Sequence, residues 1–227
     1  MLVIALSLDI SFSFVFSMVD AVVEFVFPNI YDSDLLNPFE ERVLLMVNVL
    51  TFVMLAVGFV TVVLACVFIY RANANLRSAV VTGLTYSPAW SVGWWFVPIM
   101  DLFKPYLVVK EIYRLSHAIG REGADAKPYL LQLWWLFWIL RYVVAVAATW
   151  LYLSYSFDPS GYFLLSAGES LLYLFAGVCF IVIVSQIAGW QEQLEEARDT
   201  TGDGAGSSDG QTQPQTRAEE PISSPIT

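Results

Sequence analysis

The stretch Val43–Tyr70 reads VLLMVNVLTFVMLAVGFVTVVLACVFIY and contains no charged residue. A helix needs roughly 20 mostly apolar residues to cross the bilayer core, so this run predicts a membrane-spanning helix. Two later runs are nearly as apolar. Leu130–Ser154 carries one charge, Arg141, and Tyr162–Ala188 carries one, Glu169. The N-terminal run, Leu2 to Phe27, is weaker because it holds Asp9, Asp20 and Glu24. No Lys or Arg precedes it and no small-x-small site follows it, which argues against a cleaved signal peptide and for a retained helix. The expectation is an all-α integral membrane protein with spans at about 2–27, 43–70, 130–154 and 162–188. Composition agrees, since 14% of the 227 residues are charged against about 25% in soluble domains.

Charge placement predicts the orientation. Seven of the eleven Lys and Arg residues lie between Arg71 and Lys127, and positive charge marks the cytoplasmic side of short loops. Residues 28–42 hold one Arg against four acids, and residues 155–161 hold no basic residue. Both are expected outside. Four spans in the plasma membrane with both termini cytoplasmic satisfy all of these placements. The net charge of −10 is concentrated after Trp190, where eight acids face two basic residues. Nucleic-acid binding needs a basic surface and is not expected. Residues 200–227 are rich in Gly, Ser, Thr, Gln and Pro and predict a disordered cytoplasmic tail beyond a membrane domain of residues 1–199. Cys66 and Cys179 both fall in apolar runs, where a thiol behaves as a small apolar side chain. Neither cysteine spacing nor the single His suggests a metal, and no cofactor is expected.

The basic segment is more than a loop. Leu84–Phe103 is apolar and holds Trp90, Trp94 and Trp95, but Pro88, Gly93 and Pro98 interrupt it. Proline breaks helices and Trp favours the headgroup level. The segment at about 84–121 is therefore expected to lie in the inner interface or to re-enter the membrane. Within it, Val108, Ile112, Leu115 and Ile119 form one helical stripe, and Lys110, Arg114, His117 and Arg121 form another two positions away. Two positions are about 200° apart, so the stripes lie on opposite faces. This predicts an amphipathic cytoplasmic helix lying on an anionic inner leaflet. The same pattern also fits a helix packed on the bundle with a solvated basic face. Asp101 is placed to cap this helix and Pro105 falls in its first turn.

Ionisable residues inside a span are costly and face the bundle interior. Asp9, Ser13, Ser17, Asp20 and Glu24 share one helical face, and so do Ser166, Glu169, Tyr173 and Ala176. Arg141 shares its face with the small residues Ala145 and Ala148. By helical rise Arg141 lies roughly 16 Å deep, between Asp9 and Glu169, and is within reach of either, with Glu169 expected first because a short turn joins its helix to that of Arg141. Arg141, Glu169 and Asp9 thus make either an ion pair that fixes helix packing or part of a polar path. Catalysis has no support: there is no HExxH, no GxSxG and only one His.

The residues Arg71-Ala-Asn-Ala-Asn75-Leu76, Trp94-Trp95-Phe-Val-Pro98 and Pro105-Tyr-Leu-Val-Val-Lys-Glu111 carry a resemblance. They resemble a family of bacterial multi-pass membrane proteins catalogued only as a domain of unknown function. Its pattern is an Arg-Ala-x-x-Asn-Leu helix end, a Trp-Trp-Phe-x-Pro core and a Pro-Tyr-x-Val-x-x-Glu helix start. The Leu-Trp-Trp-Leu-Phe-Trp run at 133–138 and a Gln after the last span, Gln191 or Gln193, also fit. The family usually has Asn where this chain has Asp101. The resemblance implies a helical membrane protein and brings no activity. On the residues themselves, Arg71, Asn75, Trp94, Trp95, Pro98, Asp101, Pro105 and Glu111 suit either a lipid or ligand site or a cluster locking the segment onto the bundle. The expected function is non-enzymatic, structural or regulatory through the cytoplasmic face. The alternative is a small transporter or ion-conducting oligomer. Membrane lipid, further copies of the chain or another membrane protein are the expected partners.

Overall fold

The computed structural model describes residues 1–27, 30, 37–79, 83–120, 126–153 and 159–206. Among these, every regular element is helical. Four long helices are α1 (Leu2–Val26), α2 (Pro38–Ser78), α5 (Tyr129–Leu153) and α6 (Pro159–Gly206). Between α2 and α5 come the short α3 (Pro88–Gly93), two 3-10 turns (Trp94–Phe96 and Met100–Leu102) and α4 (Lys104–Ile119). Each long helix contains a stretch long and apolar enough to cross a membrane.

The helices cover the four predicted spans, but α2 and α6 overrun theirs. The 41 residues of α2 make a rod of about 60 Å, twice the ~30 Å hydrocarbon thickness. Helix α6 continues to Gly206, past the point where the sequence places the start of the tail. Residues 207–227 lie outside the described residues, as do 154–158 and most of 28–36. The start of α2 is locally encoded. Asn37 Oδ1 accepts from the N–H groups of Phe39 and Glu40, each at 3.0 Å, and Glu40 Oε2 accepts from Asn37 N at 2.9 Å. This reciprocal capping, with Pro38 in the first turn and Glu40 and Glu41 at the positive helix end, fixes the boundary.

Helix α6 packs against both α1 and α5, and α1 also packs on α2. The end of the bundle that carries the Arg71–Lys127 segment, here the basic end, holds the main core. There Ile69, Ala72 and Leu76 of α2 meet Val108, Val109, Ile112 and Tyr113 of α4, and Ile183, Val184, Ile187 and Trp190 of α6. The apolar stripe of α4 is therefore a packing face. Val108 and Ile112 are fully buried between α2 and α6, while Lys110, Arg114 and His117 are exposed. The expectation that this helix lies on the leaflet through that stripe is corrected, because the stripe packs on the last turns of the predicted spans of α2 and α6 and on their continuation at Ala72, Leu76 and Trp190. Burial of a Val or Ile side chain contributes roughly 1.5–3 kcal/mol.

Candidate functional site

Two polar assemblies stand out. The first is a cleft of about 640 Å³ between α1, α2, α5 and α6. It gathers the polar faces read from the sequence: Asp9, Ser13, Ser17 and Asp20 from α1, Arg141 from α5, and Ser166, Glu169 and Tyr173 from α6. The side chain of Glu24, assigned to the same face, lies outside the described residues. Arg141 takes Glu169 as its partner, with Nε donating to Oε1 at 3.2 Å. The two side chains remain 31% and 35% exposed, so the pair lines the cleft and is not sealed in the packing. The guanidinium also lies over the rings of Tyr173 and Trp138, at 4.9 and 5.5 Å. Asp9 is not its partner. That carboxylate is 5% exposed and accepts a hydrogen bond from Tyr173 Oη at 2.6 Å. Farther toward the 28–36 end, the hydroxyls of Ser17, Ser166 and Ser170 join α1 to α6. Ser170 was missed in the sequence, although it lies one helical turn from Ser166.

Asp9, Trp138 and Tyr173 are shared with a second, smaller cavity of about 270 Å³ toward the basic end. Its wall includes Thr61, Cys66, Trp95, Trp134, Tyr142 and Asp101. Asp101 thus faces the bundle and does not cap α4, whose first turn has no side-chain cap. Burial pushes the Asp101 carboxyl above its ordinary pKa, a cost that Asn at this position would avoid. Next to it the chain turns sharply. Ile99 adopts φ 70°, a conformation that a β-branched residue rarely takes. It and its neighbours Phe96, Pro98 and Phe103 are exposed.

The second assembly is a hydrogen-bonded cap at the basic end. Gln191 of α6 is its hub. Its Nε2 donates to Ala72 O and to Ser116 Oγ, both at 3.1 Å, and its Oε1 accepts from Asn75 Nδ2 at 3.3 Å. One amide thereby ties α2, α4 and α6 together. Asn73, fully buried, donates to Tyr86 O at 3.1 Å and accepts from Arg77 Nε at 3.2 Å, while Arg77 Nη2 also reaches Tyr86 O at 2.7 Å. Glu111 accepts from Thr85 N at 2.7 Å. Tyr113 Oη donates to Gln186 Oε1 at 2.7 Å and accepts from Lys127 N at 2.8 Å. Burial raises the Tyr113 pKa, although the Lys127 N–H opposes it, so the phenol stays a donor at neutral pH. Trp95 packs on buried Trp134 at 6.4 Å, joining the two tryptophan motifs. Lys104 Nζ lies over Tyr86 and Trp94, at 5.4 and 5.3 Å.

The predicted cluster thus separates. Trp95 joins the segment to α5 through Trp134, Asn75 joins α2 to α6 through Gln191, and Pro105 is buried, while Trp94 and Glu111 make their contacts within the segment, with Trp90, Lys104 and Thr85. Asp101 lines the inner cavity and Pro98 is exposed. Arg71 is exposed and makes no hydrogen bond or ion pair with a described residue. Arg77, Tyr86, Tyr113, Ser116 and Gln186 were missed. Tyr113, Ser116 and Gln186 find their partners in distant elements, which spacing does not signal, whereas Arg77 bonds Asn73 one turn back and the carbonyl of nearby Tyr86. Among the described residues, no group of acids, His and Cys is placed to hold a metal ion.

An all-helical multi-pass membrane protein with an internal polar cleft and a fixed polar cap is the class these features define. The chain belongs to the family DUF4328, a domain of unknown function, whose model matches residues 40–201. No curated protein and no solved structure matches it. The match spans the cap and helices α2 to α6, and begins after α1.

Proposed function

We propose that this is a non-enzymatic plasma-membrane protein that works as a structural or regulatory component through its cap, with the cap and both termini in the cytoplasm. The observation that carries the reading is the Gln191 hub, which makes three elements one rigid unit while Lys110, Arg114 and His117 stay on its outer face. A pre-organised basic surface loses little freedom on docking, and it suits an acidic protein surface or anionic lipid. The crowding of seven cationic residues into residues 71–127 supports the orientation. We read Trp94–Phe103 as a re-entrant element, because it shares a cavity with Asp9 and Tyr142 and carries exposed apolar residues at its turn. Irregular backbone at membrane depth is tolerated where it lines such a cavity.

A photo-crosslinking residue at Arg114 should give a discrete adduct in native membranes that Lys110→Glu abolishes. The same residue at Phe52, on the lipid-facing side of α2, should not. Matching adduct patterns at the two sites would sink the docking role. An impermeant maleimide should spare Arg114→Cys in intact cells and label Ser33→Cys, and the reverse would invert the orientation.

Transport or ion conduction is the second reading, favoured by the outer cleft and inner cavity meeting at Asp9 and Tyr173. A guanidinium carries five N–H donors, and Arg141 uses only Nε on a described residue. The cleft must therefore admit water or a polar solute. Proteoliposomes should show cation or proton flux that Asp9→Asn lowers about tenfold or more. Equal leakage from wild-type and variant vesicles would remove this reading.

A further inference from the structure

Arg71 makes no hydrogen bond or ion pair with a described residue, and its surroundings give it a task. It follows directly on the charge-free run Val43–Tyr70, where helix meets headgroups. It lines a pocket of about 310 Å³ with Glu192 and Glu195 of α6, and the first turn of α1 closes the far side. No Arg71 nitrogen lies within 4.0 Å of either carboxylate, so opposite charges face each other across open space. Asn75, Gln191 and Met1 also border it, and an apolar strip of Leu64, Val67 and Phe68 leads from Arg71 along α2 into the spanning run.

We infer that this pocket holds one phospholipid bearing a primary amine, with its phosphate on Arg71, its ammonium between Glu192 and Glu195, and an acyl chain along Leu64, Val67 and Phe68. Three physical points select this class. A guanidinium is the preferred partner for phosphate. Two carboxylates beside one guanidinium disfavour an anionic headgroup and favour one that also carries positive charge. A primary ammonium donates three N–H bonds, which the two carboxylates can accept and which a trimethylammonium cannot supply. The apolar wall is what a soluble phosphate–amine compound would leave uncovered. The inference adds a specific zwitterionic lipid to the basic cap face of the proposed function. It concerns occupancy alone, so it stands or falls independently of docking or flux.

The test uses the purified full-length protein in nanodiscs, with retained lipid read by native mass spectrometry. Phosphatidylethanolamine should be retained over phosphatidylcholine and phosphatidylglycerol by about tenfold, the order of one charge-assisted contact. Arg71→Ala should lose retention of all three lipids. The double variant Glu192→Gln, Glu195→Gln should keep retention but lose the preference for the primary amine. All three side chains are exposed, and an unchanged melting temperature in phosphatidylcholine confirms that each variant is folded. Equal retention of the three lipids, preference for phosphatidylglycerol, or retention unaffected by Arg71→Ala overturns the inference. So does competition by soluble glycerophosphoethanolamine as effective as that by the intact lipid, which would mark a solute site.

Discussion

Arg141→Leu should lower the stability of the membrane-inserted protein by about 3 kcal/mol, the lower end of the range for breaking a buried pair. The lower end applies because Arg141 and Glu169 are about one third exposed, so water already screens part of their attraction. Most of the loss comes from Glu169, which is left in a cleft walled by four helices without its cationic partner. The stacked contacts of the guanidinium with Tyr173 and Trp138 vanish at the same time. Adding Glu169→Gln should restore much of the loss, because a neutral amide no longer needs a cation. Adding Asp9→Asn should restore little, because Asp9 is held by Tyr173 and not by Arg141. Folded yield and thermal unfolding of the single and double variants are the measurements. Unchanged stability in Arg141→Leu would mean that water alone compensates both charges, and the cleft would then have to be fully hydrated.

This pairing illustrates what the sequence makes legible and what it does not. The spacing of Asp9, Ser13, Ser17 and Asp20 on α1, and of Ser166, Glu169 and Tyr173 on α6, is a property of single helices. Helical period alone therefore puts these residues on common faces, and both faces meet in one cleft. Depth along the helices narrowed the partners of Arg141 to two acids, and the short turn between the last two spans favoured Glu169, the partner found, but neither excludes Asp9. The choice depends on rotation of each helix about its own axis, which is set by packing. The same limit explains α4. Its two stripes are plain from residue spacing, but the surface under the apolar one belongs to α2 and α6 at and just beyond their predicted ends, and only packing brings it there. Hydropathy marks where a helix can cross a bilayer, not where it stops. The cap was half legible. Asn75, Glu111 and Gln191 were singled out as motif residues, while Ser116 and Tyr113 read as ordinary helix positions. A hydrogen bond between residues 75 and 191 leaves no trace in local spacing. Asp101 was placed as a cap because it precedes α4 closely, and the turn at Ile99 instead directs it into the inner cavity.

Gly177→Val is expected to detach α1 from α6. Helices associate in membranes where small residues let them approach closely, and Gly177 is such a point. A Cβ built on it would overlap Ile10 Cδ1 and lie 2.6 Å from Ile10 Cγ1. Ile10 is itself nearly fully buried, beside Ala176 and Phe180, so its side chain has no free direction in which to turn. Ile10 and its buried neighbours must shift, or the helices separate. Overpacking of this kind costs about 1–3 kcal/mol. The consequence extends along the interface, because Asp9–Tyr173, Ser17–Ser166 and Ser17–Ser170 are polar contacts between the same two helices. Cysteines at positions 17 and 170, in a chain with Cys66 and Cys179 replaced by Ala, should form a disulfide on mild oxidation. Gly177→Val should reduce that crosslink severalfold, and adding Ile10→Ala should restore it by removing the atoms that clash. Full crosslinking in Gly177→Val without the second change would show that α1 does not rest on α6 at this glycine. The Asp9–Tyr173 contact that divides the outer cleft from the inner cavity would then need a different support.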